Sequence, residues 1–203
     1  MRKYNFSAKQ LRELYQQGFS MRSMANKLGC SEHVILYWMD KYGISRRSLS
    51  DAIYLQSNPD GDPFAIKRKF NVDEAFLHGL GIGLFWGEGT KMTPNSVRVA
   101  NSDPGVILLF RKFLLEICGL KKEKLRYGLV CFQDTDPGEV GRYWGNKLQI
   151  SPEKFGKIVR IPSQGRGTYK HKSAYGVCTL VVGNTKLKQW IMEQIESARA
   201  WIA

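Results

Sequence analysis

One carboxylate, Glu88, has the clearest chemical potential in this chain. It lies between Gly87 and Gly89 at the end of the apolar, glycine-rich stretch LHGLGIGLFWGEGTK. Gly89 suits the position that follows a helix, which places Glu88 at the negative end of the helix dipole, an unfavourable location by about 0.3–1 kcal/mol. If two such carboxylates converge, a cation between them relieves their repulsion, and Mg²⁺ suits carboxylates that share it with phosphate oxygens and water. Glu88 is thus a candidate metal ligand; the alternative is an exposed glutamate that binds nothing.

The other reactive residue types form no catalytic or metal-binding pattern. His33, His78 and His171 are scattered, and the four cysteines show no C-x-x-C or Cys/His ligand spacing. We therefore expect reduced thiols in the core of a cytosolic protein. Metal-dependent hydrolysis of a phosphodiester needs no protein nucleophile, so the chemistry would rest on the metal site.

The stretch that carries Glu88 has the spacing of a helix with a glycine stripe. Gly79, Gly83 and Gly87 recur every four residues and so share one face, where another helix backbone can approach closely. Each glycine costs a helix up to about 1 kcal/mol relative to alanine, and tight packing against a partner helix would offset that cost. A phosphate-binding loop is excluded because neither G-x-G-x-x-G nor G-K-[ST] occurs.

GIGLFWGEG (residues 81–89) resembles, position for position, the LAGLIDADG motif of homing endonucleases. Glu88 occupies the place of the acid that binds metal in that family, and Gly89 that of the closing glycine. The chain departs from the motif at Gly81, which replaces the leading leucine, and at Trp86, which replaces the first acid. The other matching positions are Gly83, Leu84 and Gly87.

The resemblance implies a fold, a partner and a cofactor for residues 73–203. The fold would be an αββαββα unit with a saddle-shaped antiparallel sheet. The protein would act as a homodimer through the motif helices, with Gly79, Gly83 and Gly87 in the interface and two or three Mg²⁺ ions per dimer. Family members also use a basic residue near the metals, for which Lys172 or Lys170 is the expectation here.

In this family the sheet lies over duplex DNA, and polar residues of the strands contact bases and phosphates. The strand patterns SVRVANS and LRYGLVCFQ, the pair KIVRIP and AYGVCTLVV, and the basic segment between that pair supply such residues. Flexible, solvated surface charges are the alternative. The expected DNA contacts are Arg98, Asn101, Arg126, Gln133, Lys157, Arg160, Arg166 and Lys170.

Residues 1–56 are typical of a three-helix DNA-binding domain. Ser7, Ser20 and Ser31 can each cap a helix, and Gly29 begins the short turn between the second and third. This pattern resembles the helix-turn-helix of resolvases and transposases, and the alternative is a three-helix scaffold that binds nothing. The third helix would place Glu32, His33, Tyr37 and Lys41 at the DNA, with Arg46 and Arg47 following as a minor-groove arm or a solvated linker.

The charge of the chain agrees with a polyanionic partner. The formal net charge is +13, with +6 on residues 1–72 and +7 on residues 73–203, so both parts favour a polyanion, nucleic acid first and an anionic membrane second. No segment has the length of apolar sequence expected of a signal peptide or a membrane span, which predicts a soluble cytoplasmic protein.

The sequence therefore predicts an α+β protein with a helix-turn-helix domain (1–56), a linker (57–72) and a LAGLIDADG-like domain (73–203). Its expected activity is sequence-specific, Mg²⁺-dependent cleavage of double-stranded DNA as a homodimer, with Glu88 and Lys172 in the site. One alternative is a DNA-binding transcription regulator of the same fold that does not cut. Another is an RNA-binding cofactor of intron splicing.

Overall fold

The computed structural model describes residues 4–162 and 173–202 and divides the chain into two compact units, Met1–Asp62 and Pro63–Ala203. Helices and strands are both present, so the protein is of the α+β class. Among the described residues no helix is both long and apolar enough to cross a membrane.

The first unit contains four helices: α1 (Ala8–Gln16), α2 (Met21–Leu28), α3 (Glu32–Lys41) and α4 (Leu49–Ser57). The hydroxyls of Ser7 and Ser20 accept backbone N–H bonds at the starts of α1 and α2, and Gly29 ends α2 in the left-handed conformation at φ 66°. Such caps satisfy amide groups that have no partner within the helix. The small core of this unit is formed by the first three helices and comprises Phe6, Leu11, Leu14, Met24, Ala25, Ile35, Met39 and Ile44.

The expectation of only three helices in this unit was wrong, because α4 is a fourth. Its start is capped by Ser48, whose hydroxyl accepts from the backbone of Asp51 and donates to the Asp51 carboxylate. This Ser-x-x-Asp arrangement is a helix start signal. The arginine pair before it had suggested a minor-groove arm or a solvated linker instead.

The second unit contains α5 (Val72–Glu88), β1 (Val97–Asn101), α6 (Pro104–Lys112), β2 (Arg126–Phe132), α7 (Pro137–Leu148), β3 (Val159–Ile161), β4 (Val177–Val182) and α8 (Thr185–Ile202). A π-helical turn, Phe113–Ile117, continues α6, and short 3₁₀ turns cover Lys122–Lys124 and Pro152–Phe155. The order αβαβαββα differs from the expected αββαββα, since a single strand follows α5.

The sheet is mixed, with strand order β1-β4-β2-β3. β4 pairs antiparallel with β1 and β2, whereas β3 pairs parallel with β2. The expectation of an antiparallel sheet was therefore wrong at this edge. The reason is the helix α7 between β2 and β3, because a helical crossover returns the chain to the sheet in the same direction.

One face of the sheet is buried beneath helices. Its inward side chains, which include Val97, Leu129 and Leu180, belong to a core with the fully buried rings of Phe85 and Trp144. This core fixes the position of α5 relative to β1 and so places the C-terminal end of α5 at one end of the sheet.

Residues 63–67 belong to the second unit, although they had been assigned to a linker. The amides of Ala65 and Lys67 donate to the carbonyls of Cys118 and Ile117, and the amide of Lys121 donates to the carbonyl of Pro63. The contact is close, since a Cβ added at Gly119 would stand 2.4 Å from the Ala65 carbonyl oxygen.

Candidate functional site

The helix α5 begins at a capping box in which Asn71 and Glu74 exchange side-chain and backbone hydrogen bonds. Leu77, Ile82 and Phe85 of this helix are buried in the core. A helix that packs by one face normally exposes polar residues on the opposite face. The opposite face of α5 is apolar instead.

The exposed side of α5 is here called the outer face. Phe76 is 69% exposed and Leu80 36% exposed, and the glycines between and beyond them are exposed as well. Exposed apolar patches of this kind mark interaction surfaces when they are contiguous. The outer face consists of Ala75, Phe76, Gly79, Leu80, Gly83, Leu84, Gly87 and Glu88.

The glycines of this region have two different surroundings. A Cβ added at Gly81 would stand 2.2 Å from the ring of Phe113, and one added at Gly89 would stand 2.4 Å from the Phe85 carbonyl oxygen. These two glycines are thus required by packing within the chain. At Gly79, Gly83 and Gly87 an added Cβ meets no described atom within 4 Å.

Gly89 does not act as the left-handed cap that the sequence suggested. Its φ of −78° and ψ of 145° are extended, so the chain leaves α5 directly towards β1. Gly89 pairs with Val99, and the amide of Thr90 donates to the carbonyl of Arg98. These contacts attach the end of α5 to β1.

Glu88 is the last residue of α5 and is exposed at the end of the outer face. Within the described part of the chain its carboxylate makes no hydrogen bond or ion pair. It also belongs to no cluster of three or more His, Cys, Asp or Glu side chains in the described residues.

Two lysines that the sequence analysis did not single out lie at the same end of α5. The Nζ of Lys91 donates to the carbonyl of Gly87 at 3.4 Å, and the Nζ of Lys188 donates to the carbonyl of Thr90 at 2.5 Å. Burial, and then the charge of Lys91, lower the pKa of the Lys188 ammonium. A sequence signal was present, because Lys188 falls on the apolar side of α8 with Ile191 and Ile195.

Among the described residues, the face of the sheet that no helix covers carries two of the predicted DNA contacts in one row. Arg98 and Arg126 both pair with Val181, so the three residues form one row across β1, β4 and β2. Both arginines are exposed. The next row is Ala100, Thr179 and Gly128, whose small side chains leave the centre of this face shallow.

Several residues on the list of expected contacts take part in local structure, and Arg126 is one of them, since its guanidinium donates to the carbonyls of Glu123 and Leu125. The side chain of Asn101 accepts the amide of Asp103 at 2.9 Å before α6. Arg160 donates to the carbonyl of Gln133, and the side chain of Gln133 is exposed. Lys157 is exposed ahead of β3. Arg166, Lys170 and Lys172 lie outside the described residues.

In the first unit, α3 exposes the residues that were expected to contact DNA. Tyr37 is 60% exposed, and the Lys41 ammonium lies 4.5 Å from the centre of the Trp38 ring. His33 is exposed, and Glu32 lies 3.6 Å from Arg22.

The two arginines that follow α3 differ. The Arg47 guanidinium stacks 3.8 Å from the centre of the Tyr15 ring and donates to the carbonyls of Gly18 and Phe19. Arg47 thus links α1 to the segment before α4, whereas Arg46 is exposed.

Cys178 and His78 belong to no metal-binding group of the described residues. Burial raises the pKa of Cys178 to about 12 and lowers the pKa of His78, whose buried Nε2 has no hydrogen-bond partner among the described residues. Neither group is placed as a nucleophile or a metal ligand.

In comparisons with protein families, with curated proteins and with solved structures, no match to this chain is found.

Proposed function

We propose that the protein is a metal-dependent DNA endonuclease that works as a homodimer, with the outer faces of two α5 helices in contact. The observation that carries the proposal is an exposed apolar helix face that ends in a carboxylate with no ion-pair partner among the described residues. The likeness of GIGLFWGEG to the LAGLIDADG motif supports the same arrangement.

The outer face favours a second copy of the helix as its partner. Gly79, Gly83 and Gly87 leave open space above the backbone, which suits a partner that brings another backbone close. Phe76 and Leu80 would be removed from water at the same time, and each large apolar side chain buried contributes about 1.5–3 kcal/mol. Two Glu88 side chains would then meet at one end of the contact.

Two Glu88 carboxylates, one from each chain of a dimer, would suit Mg²⁺, whereas the single Glu88 carboxylate of one chain does not. A single carboxylate is too few ligands for a protein site, but Mg²⁺ is commonly held by one or two carboxylates together with substrate phosphates and water. Glu88 of each chain would hold the metal. When bound, the metal supplies polarisation of the phosphoryl oxygen and an activated water.

DNA would lie along the uncovered face of the sheet, next to the metal. The backbone contacts of Gly89 and Thr90 with β1 place the end of α5 beside the strand that carries Arg98. Arg98 and Arg126 would bind phosphates, and α3 of the first unit would add contacts through Tyr37 and Lys41. The net charge of +13 supports a polyanionic partner.

The test is nicking of a randomised plasmid library with Mg²⁺, comparing the natural chain with Glu88→Gln. Glutamine keeps the size of the side chain and removes its charge, and because Glu88 is exposed the fold should be kept. We expect site-specific cutting by the natural chain and none by the variant. Specific DNA binding that is indifferent to Glu88 and to Mg²⁺ would instead indicate a regulator that does not cut. A strong preference for RNA over duplex DNA would contradict both.

A further inference from the structure

The Lys188 side chain is only 3% exposed and has no carboxylate partner among the described residues. An ammonium group has three N–H donors, and the one acceptor found for it in the described part of the chain is the carbonyl of Thr90. The ring of Phe85 lies 4.5 Å from Nζ. A buried charge is normally paired, so an incompletely paired lysine at this position needs an explanation.

A second cation stands beside the first. Lys91 is exposed, and its Nζ donates to the carbonyl of Gly87, one residue before Glu88. The two acceptor carbonyls, of Gly87 and Thr90, lie three positions apart at the same turn, and the charge of Lys91 contributes, after burial, to the lowered pKa of Lys188. Glu88 makes no ion pair with either lysine within the described structure, although its neighbours in sequence contact both.

The end of the helix accounts for part of this arrangement only. The Gly87 carbonyl belongs to the last turn of α5, and carbonyls at a helix C-terminus attract cations by about 0.3–1 kcal/mol, which favours Lys91. That attraction does not remove the repulsion between the two ammonium groups, nor does it satisfy the remaining donors of Lys188. An anion held by both lysines would do both, through charge-assisted hydrogen bonds.

We infer that Lys91 and Lys188 form a binding site for a phosphate group at the turn that follows Glu88. Lysine binds phosphate as a point charge, and the exposed Lys91 would meet the anion first, with Lys188 behind it. That this phosphate group belongs to a nucleic acid rests on the proposed function. The phosphate site itself requires no cleavage and no metal.

The experiment measures how fast each lysine is methylated by formaldehyde and borohydride, with peptide mass spectrometry, in the absence of divalent metals. Inorganic phosphate and a short duplex oligonucleotide serve as separate probes. Lys112 is the internal control, because it is exposed on α6 and already faces Glu116 at 3.9 Å. The full chain is used throughout, and the measurement is repeated in Glu88→Gln.

We expect phosphate to slow the methylation of Lys91, the exposed member of the pair, and to leave Lys112 unchanged. Lys188→Met keeps the apolar stem and removes the charge, so the phosphate concentration that protects Lys91 should rise about tenfold, as for the loss of one charge-assisted hydrogen bond. Lys188→Arg should restore protection of Lys91. Lys112→Met, which removes the same charge elsewhere, should have no effect.

Equal protection of all lysines would reduce the effect to screening of a basic surface and overturn the inference. The inference is also overturned if phosphate protects Lys91 equally well in Lys188→Met and thermal unfolding shows that this variant is folded. Protection by the oligonucleotide alone assigns the site to backbone phosphate, and protection by inorganic phosphate alone assigns it to a free anion. Protection without plasmid cutting keeps the site and removes the proposed function, and cutting without protection does the reverse.

Discussion

Gly79 and Gly81 are two positions apart in α5, yet a side chain added at one position would enter different surroundings from a side chain added at the other. At Gly81 the ring of Phe113 occupies the place of a Cβ, whereas at Gly79 that place is open. The sequence shows the same residue type at both positions. Only the π-helical turn that contains Phe113 distinguishes them, and that turn comes from a distant part of the chain.

Alanine substitutions at these two glycines should have opposite effects on stability. Gly81→Ala should lower the free energy of unfolding of the second unit by about 1–3 kcal/mol, because the core must move to admit the methyl group. In the monomer, Gly79→Ala should raise it by up to about 1 kcal/mol through helix propensity. Urea denaturation followed by tryptophan fluorescence, at several protein concentrations, measures both. Equal losses would show that the two positions have similar surroundings.

His78 should make the stability of the second unit depend on pH. Its imidazole contacts the rings of Phe70 and Trp190 at 5.1 and 5.9 Å between centres, and burial lowers its pKa below the ordinary 6.5. As the pH falls below 6.5, the unfolded chain gains a proton that the folded chain does not. The free energy of unfolding therefore falls until the lowered pKa is reached.

The measurement is urea denaturation across this pH range for the natural chain, His78→Phe and His33→Phe. We expect His78→Phe to remove part of the pH dependence, and His33→Phe, which alters an exposed histidine of α3, to leave it unchanged. An unaltered dependence in His78→Phe would contradict the role assigned to burial.

At the scale of elements, the outer face of α5 is where dimerisation can be tested without disturbing the core. In Gly83→Leu the side chain enters space that is open within one chain, and leucine favours the helix more than glycine does. The fold should therefore be kept, while a second helix is held further away. Sedimentation equilibrium should show weaker self-association of Gly83→Leu.

The matched control for this prediction is Asn146→Leu, which adds a leucine to the exposed side of α7. It should self-associate like the natural chain. If the natural chain is monomeric at all concentrations, or if Gly83→Leu associates equally well, α5 is not the interface.

Local patterns predicted several helices but not how the strands pair. α1, α2 and α3 follow from caps such as Ser7 and Ser20, and α5 follows from the spacing of its glycines. The parallel position of β3 could not be read from its three residues, since a strand pairs according to where the preceding helix returns the chain. The same limit applies to the site: Glu88 was predicted from its neighbours, whereas Lys188 reaches Thr90 across 98 positions.

For the whole molecule, the charge of +13 predicts binding to any DNA that weakens with salt. Each phosphate contact contributes about 0.9 to the slope of log K against log salt. Arg98→Ala and Arg126→Ala should therefore each reduce the slope by about that amount. Fluorescence anisotropy with a labelled duplex measures it.

Arg199→Ala is the control for these variants, because Arg199 is also an arginine of the second unit but is paired with Glu196 at 2.8 Å. It should leave the slope nearly unchanged. Equal reductions in all three variants would show that net charge, rather than the row on the sheet, governs binding.

The backbone hydrogen bonds of residues 63–67 determine where this chain can be divided. A recombinant second unit that starts at residue 73 would leave the carbonyls of Ile117 and Cys118 without their partners and would expose the end of the π-helical turn. One that starts at Pro63 keeps them. The segment that tolerates exchange or lengthening is therefore the part before Pro63, and a chimera that replaces the helical first unit should carry Pro63–Lys67 with the sheet.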